Sequence, residues 1–454
     1  MKLEKWASSK QFKPENIFLV LVSIFGLAYT FIQPLFIEPD SSYHFEHVTY
    51  ISNTVVNRAS LGFDGEDYQH QFDYFTSEYR KGTYYTKFFK TKLPVVAKDT
   101  VQDKRVIGSN WLNDVQHIVP ALGVKFARLF YSSIGAMVIG GRLFNLIFFS
   151  LSLYFIIKKL KAYQLLFALV SLSPTVLQFA TSLSYDCYNY VAFAYMTATL
   201  VNIAVDLQEK GRLTVAGMAS RLALPSLVLF FSKSNSKLLY LLVLALFMHW
   251  GIKQANLHLS RRKSCFLGLG TVGLGCLLFL VKYHQQLELI FRKFFYTLLE
   301  PNYAILSTEI LGGTAGNVPL WFFAIEVIGI VFLLLSAKEI RVPNWFAWAC
   351  LAVAVVNLLG VNLQFAVMPA FGEKVITGSQ GRYFTSFILL LMPIFSLVAN
   401  KGLILVSGKM LKRLVISISV LALIFNLSII SVKFYHLKVP AGRFRSDIES
   451  VIFK

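Results

Sequence analysis

Apolar residues in this chain fall in blocks of about 20, separated by shorter polar segments in which lysine and arginine recur. A block of that length crosses a bilayer as a helix. Eleven spans are predicted on this pattern: 16–37, 132–157, 163–180, 186–206, 216–232, 238–252, 265–282, 318–336, 344–368, 383–399 and 414–433. A bundle of spans is one unit whatever its length, so residues 1–454 read as a single integral membrane domain. Two polar stretches are too long to be simple turns, 38–131 and 283–317.

Composition agrees with the pattern. Of 454 residues, 56% are hydrophobic and 15% charged, whereas a soluble domain carries about 25% charged residues. A soluble enzyme and a disordered chain are both excluded. The net charge of +20 would suggest nucleic acid in a soluble protein, but here it is distributed by topology. With the N-terminus inside, cytoplasmic segments carry 19 Lys and Arg, and the short outer loops only Lys233, Lys237, Lys374 and Arg382. The positive-inside rule therefore predicts N-in and C-out, with both long segments extracytoplasmic and nucleic acid not a partner. The first apolar block, 22 residues behind Lys2, Lys5, Lys10 and Lys13, exceeds a signal-peptide core and reads as a first span. Cys187, Cys265, Cys276 and Cys350 all lie in or beside apolar blocks, which implies neither a disulfide framework nor a thiolate metal site.

The first long segment holds eleven of the 24 acidic residues and ends in Val119 to Phe130, predicted to be a helix lying in the membrane interface. Residues 287–295 are a second interfacial candidate. Nine aromatics lie between Tyr68 and Phe89 and suit sugar stacking, lipid contact or a small core. No internal repeat or inverted pair of broken spans is visible.

Four polar groups stand out against this apolar background. Directly after the first span comes Glu38-Pro39-Asp40-Ser41-Ser42-Tyr43-His44-Phe45-Glu46-His47. Proline stops the helix there, and Asp40 and His44, four apart, share a face if the segment is helical. Such a set could ligate a metal, or one carboxylate could act as a general base; a plain polar turn at a helix stop has the same composition. Asp186 opens a span, where a carboxylate suits the helix N-terminus, but that role leaves Asn189 one turn later unexplained. Lys233 and Lys237 occupy a short outer loop against the positive-inside trend, serving either an anion or the lipid interface. Gly378-Ser379-Gln380-Gly381-Arg382-Tyr383-Phe384 opens the tenth span with an arginine, the preferred bidentate phosphate ligand, though a headgroup anchor would look alike. Arg142 falls inside a span, where a charge is costly and must find a partner. Walker A, dinucleotide-binding, His-Glu-x-x-His and nucleophile-elbow motifs do not occur.

Taken together, Pro39-Asp40 with His44-Phe45, Arg142, Ser182-Leu183-Ser184-Tyr185-Asp186, Ser232-Lys233 and Gln380-Gly381-Arg382-Tyr383-Phe384 resemble, in order, the pattern of a family of bacterial predicted membrane proteins. That family has no established function and is grouped with the GT-C glycosyltransferases. Leu311-Gly312-Gly313-Thr314 to Pro319 also resembles its Gly-rich turn. One departure is Ser41, where the family usually has Glu beside the Asp, so a paired-carboxylate site is in doubt and a divalent metal is not favoured.

The resemblance implies an all-α polytopic protein of the bacterial cytoplasmic membrane, a GT-C-like bundle of about 11 helices (10–13) with a large first extracytoplasmic loop. It implies transfer of a sugar from a polyprenyl-phosphate donor to a cell-envelope glycan or teichoic-acid-like acceptor, with no cofactor. Asp40 and His44 would be catalytic, and Arg382, Lys233 and Arg142 would bind the donor phosphate. Glu38, Asp186, Asn189, Gln380 and Tyr383 would contact substrate. A flippase or exporter of lipid-linked sugars would use the same basic residues, and a polysaccharide polymerase or ligase is a third reading, although those usually place their large outer loop late in the chain.

Overall fold

The computed structural model describes residues 13–54, 82–92, 111–210, 213–254, 281, 284–299, 309–314, 318–336, 342–368, 376, 379–394 and 407–436. Every regular element among them is helical. Helix α1 (Pro14–Ile32) is followed by α2 (Ser41–Ile51), a π-helical turn (Thr86–Lys90), α3 (Trp111–Phe130), α4 (Ile134–Lys159), α5 (Gln164–Ser171), α6 (Pro174–Ala180) and α7 (Asp186–Lys210). Then come α8 (Val215–Phe230), α9 (Leu239–Gln254), α10 (Leu287–Leu299), α11 (Leu320–Ser336), α12 (Asn344–Ala366), the short α13 (Arg382–Thr385) and α14 (Gly408–Ser431). Among the described residues, five helices are long and apolar enough to cross a membrane, those beginning at Pro14, Ile134, Asp186, Asn344 and Gly408. Shorter apolar helices cover Val215–Phe230, Ser236–Ile252, Leu320–Leu333 and Arg382–Ile394. The protein is membrane-embedded, and its described residues are all-α. The span predicted over 265–282 lies outside the described residues except for Val281, as do Cys265 and Cys276 and most of the 68–89 aromatics.

The span predicted over 163–180 is two helices. Pro174 lacks an N–H, and it holds Ser173 in an extended conformation (φ −64°, ψ 149°) that ends α5 and starts α6. Broken backbone at membrane depth is tolerated where protein surrounds it, and α6 is buried throughout. A freed backbone group finds its partner in the Gly-rich turn, Thr175 N–H donating to Leu311 O at 3.1 Å, and the Gln178 side chain accepts from Thr314 N there at 2.7 Å. Gly313 takes φ +99° there, and a Cβ on it would meet Asn426 at 2.4 Å, so only glycine fits the turn.

Helix α7 is the central strut. Of its most apolar 18-residue window, 83% is buried inside the protein, against 39–56% for the other four long helices. Asp186 and Asp206 mark its two ends, about 30 Å apart at 1.5 Å per residue. At the far end Asp206 is buried and meets Lys161 at 2.5 Å and Arg221 at 2.7 Å.

Helix α3 is longer than the predicted interfacial segment. It doubles back along α4 after three residues and does not lie apart from the spans. Glycines allow the two backbones to touch: a Cβ on Gly123 would sit 2.3 Å from Gly140 O, and one on Gly140 would sit 2.6 Å from Gly123 O. Gly123→Ala is therefore expected to destabilise the protein by about 1–3 kcal/mol through overpacking, read as a lowered thermal midpoint; an unchanged midpoint would refute the close crossing. The opposite side of α3 exposes Ile118, Leu122, Phe126 and Leu129 at helical spacing. Tyr84 and Phe88 pack with Leu35, Phe36 and Phe45 in a small core of their own, so these two aromatics are structural.

Candidate functional site

The end of the bundle where α1 finishes and α7 begins gathers residues that are far apart in sequence. Asp40 precedes α2, Asp186 is the first residue of α7, Lys233 follows α8, and Arg382 opens α13. Arg382 Nη2 donates to Asp40 Oδ2 at 2.6 Å, and its Nη1 donates to Asp186 Oδ2 at 3.2 Å. Asp186 Oδ1 accepts from Lys233 Nζ. The result is an alternating chain, Asp40–Arg382–Asp186–Lys233, with two charges of each sign.

Burial differs sharply along it. The Arg382 and Asp186 side chains are 3% and 6% exposed, Lys233 18%, and Asp40 55%. Buried charges persist only when paired and hydrogen-bonded, which the first two are. At 3% exposure Arg382 is not a headgroup anchor. Lys233 is fixed by its backbone N–H, which donates to Asn189 Oδ1 at 2.7 Å. Its ammonium stands over Tyr185 at 4.4 Å and Tyr383 at 5.3 Å from the ring centres. Burial lowers the Lys233 pKa, against the opposing pull of Asp186. Tyr383 stacks on Phe365 of α12 at 5.7 Å, and Gly381 N–H donates to Glu309 Oε2 at 3.2 Å. The Glu309 pKa is raised by burial, with the Gly381 hydrogen bond and Arg382 pulling the other way. Gln380 Oε1 and Arg382 Nε are buried without a hydrogen-bond partner among the described residues.

Beside this chain lies a cavity of about 20 Å³ lined by Asp186, Asn189, Lys233, Asn235, Arg382 and Tyr383, among others. That volume holds about one water molecule. The charges are in contact with one another, and the exposed carboxylate of Asp40 occupies the outer side of Arg382.

A second cluster adjoins the first. His44 on α2 is fully buried, its Nδ1 lies 2.9 Å from His117 Nε2 on α3, and its ring sits edge-on to Tyr185 at 4.7 Å. His47, one turn along, stacks on Tyr43 at 5.5 Å and approaches Asp114 at 2.7 Å. The 2.9 Å contact between ring nitrogens is a donor–acceptor pair, and no group of described residues is arranged to hold a metal ion. Burial drives the His44 pKa down to about 3, against Asp186, which pulls it up; Arg382, Lys233 and His47 add to the lowering. The His47 pKa is also lowered by burial, opposed by Asp114.

Unfolded histidine gains a proton below about pH 6.5, whereas folded His44 does not. This stabilisation is therefore complete above pH 6.5 and is lost progressively as pH falls toward 3. The thermal midpoint is expected to drop between pH 7.5 and pH 5, and His44→Gln to flatten that slope. An identical slope in the variant would contradict the assignment.

Of the residues singled out from sequence, Asp40, Asp186, Asn189, Lys233, Arg382 and Tyr383 converge. Arg142 and Glu38 do not face the cavity. They pair with each other at 3.2 Å against the end of α1. Arg142 lies eight residues into α4 but level with the last turn of α1, so α4 begins about 12 Å beyond it. Gln116 and His117 were not evident from the motifs: Gln116 Oε1 accepts from Asn189 Nδ2 at 3.1 Å. Their signal was two polar residues on the face of amphipathic α3 that Ala121 and Val124 also bury.

The family model described as "Predicted membrane protein (DUF2142)" matches residues 23–392. The chain belongs to this family. The matched region begins inside α1 and ends just beyond Arg382, so it contains both clusters. No curated protein and no solved structure matches the chain.

Proposed function

We propose that the protein is an integral glycosyltransferase of GT-C type, moving a sugar from a polyprenyl-phosphate carrier to a cell-envelope acceptor on the outer face of the bacterial cytoplasmic membrane. One observation carries this reading: a half-exposed carboxylate, Asp40, sits on a buried arginine, Arg382, at one end of a membrane bundle. That pairing supplies the two groups such a transfer needs within one contact. Lysine distribution supports placing this end outside, where lipid-linked donors present their headgroups.

The donor phosphate would replace Asp40 on the Arg382 guanidinium, with Lys233 and Asp186 completing the charge balance. The displaced carboxylate then takes the proton of the acceptor hydroxyl as its oxygen attacks the anomeric carbon. The bond from that carbon to phosphate oxygen breaks, and its electrons leave on the phosphate beside Arg382. Asn189, Gln380 and Tyr383 would line the donor path.

Reconstituted protein incubated with a panel of polyprenyl-phosphate sugars is expected to release free polyprenyl phosphate and label an envelope acceptor. Failure with every donor would overturn the reading. Movement of intact donor across the bilayer without cleavage would assign the site to a flippase instead.

A further inference from the structure

Arg142 is the largest fully buried side chain of the described residues, and its guanidinium faces backbone. Nη1 donates to Gln33 O at 2.7 Å and more weakly to Thr30 O at 3.4 Å; Nη2 donates to Pro34 O at 2.9 Å and to Glu38 Oε2 at 3.2 Å. The last carbonyls of a helix have no partners within it, and α1 has no basic residue of its own in its last turn. Arg142 supplies the missing donors from a different helix and grips the chain from residue 30 to residue 38.

The segment it grips is unusual. Phe36 (φ 64°) and Asp40 (φ 56°) are both left-handed, a conformation that L residues avoid and that persists only where neighbours hold it. The holding contacts are visible: Leu35 N–H donates to Tyr84 Oη at 3.0 Å, Ser41 Oγ donates to Phe36 O at 2.9 Å, and Arg142 fixes both sides of Phe36.

Asp40 occupies the N-cap position of α2. An aspartate there ordinarily takes an extended conformation and accepts hydrogen bonds from the first amides of the helix. Asp40 makes no such bond; its left-handed backbone turns the carboxylate to Arg382 instead. We propose that Arg142 and Glu38 form a clamp that denies Asp40 the default capping role and so keeps it on Arg382, ready to act as base. Arg142 is then a positioning residue, not a ligand of the donor phosphate. This inference rests on the transferase reading only for its kinetic consequence.

The clamp predicts a signature that a phosphate ligand or a general scaffold residue would not give. In Arg142→Lys, Asp40 relaxes onto the cap and vacates Arg382. Binding of a short-chain polyprenyl phosphate to the purified full chain should tighten, by roughly threefold for a partly exposed ion pair, while turnover falls at least tenfold. Asp40→Asn vacates Arg382 by another route, so the double variant should bind no tighter than Asp40→Asn alone. Amide hydrogen exchange should quicken over residues 35–44 and stay unchanged in α7 and α12. Glu38→Gln, a milder change, should move all three readouts in the same direction and serves if Arg142→Lys fails to fold. Weakened phosphate binding would restore Arg142 as a ligand, and a general rise in exchange would make it scaffold; either result overturns the clamp. If no donor is turned over by the wild type, the transferase reading fails, yet binding and exchange still decide the clamp.

Discussion

Asp40→Asn is expected to lower sugar transfer by about 10³-fold, within the range that a positioned general base contributes, and to bind lipid phosphate more tightly than the wild type. The two effects have one cause. Asp40 is 55% exposed and occupies Arg382 Nη2 at 2.6 Å, so it competes with any incoming phosphate for the same nitrogen. Asparagine keeps the shape and removes the charge, which weakens the competitor. A half-exposed ion pair is worth about 1 kcal/mol after screening, or roughly fivefold in affinity. Measuring turnover and short-chain polyprenyl phosphate binding on the same preparation separates the outcomes. Near-normal turnover would remove Asp40 as base, and weaker binding would mean that Asp40 belongs to the phosphate site instead of guarding it.

The residues of this site were largely legible in the sequence, whereas their contacts were not. Asp40, Asp186, Lys233 and Arg382 each stood out because a charge beside an apolar span demands a reason. Nothing in the linear order says that one arginine bridges two aspartates, because Asp40 and Arg382 are 342 positions apart. Arg142 shows the limit most clearly. The cost of a charge inside a span predicts a partner, and Glu38 is that partner, but three of its four hydrogen bonds go to carbonyls that every residue possesses. A backbone acceptor leaves no mark in a sequence. The break between α5 and α6 is marked in the sequence only by Pro174, and the apolar run continues on both sides of it. His117 and Gln116 fall in the amphipathic helix α3, whose apolar periodicity marks its exposed side as strongly as its buried one. Their burial follows from contacts distant in sequence, His117 against His44 and His47 of α2 and Tyr185, and Gln116 against Asn189 of α7.

Arg382→Lys is expected to cost about 10²–10³-fold in kcat, the loss typical of removing one preorganised donor to a developing negative charge. Charge is conserved in this change, so only geometry is tested. Arg382 uses two different nitrogens for two carboxylates, Nη1 for Asp186 at 3.2 Å and Nη2 for Asp40 at 2.6 Å. An ammonium on a flexible stem has no planar fork with which to hold both, and Lys233 already supplies an ammonium to Asp186. Lysine at this position should therefore settle on one carboxylate, losing the planar group that holds Asp186 through Nη1 while turning Nη2 to phosphate. Arg382→Ala goes further, leaving Asp186 to Lys233 alone, and a broken buried ion pair costs about 3–5 kcal/mol of stability. Turnover of that variant mixes chemistry with unfolding, so the lysine variant is the decisive one. Its thermal midpoint should stay close to the wild type while kcat falls and the KM for the lipid donor rises. Wild-type kcat and KM in Arg382→Lys would show that the guanidinium fork is not used on phosphate. The Asp40–Arg382–Asp186 contacts would then be a structural tie between α2, α7 and α13.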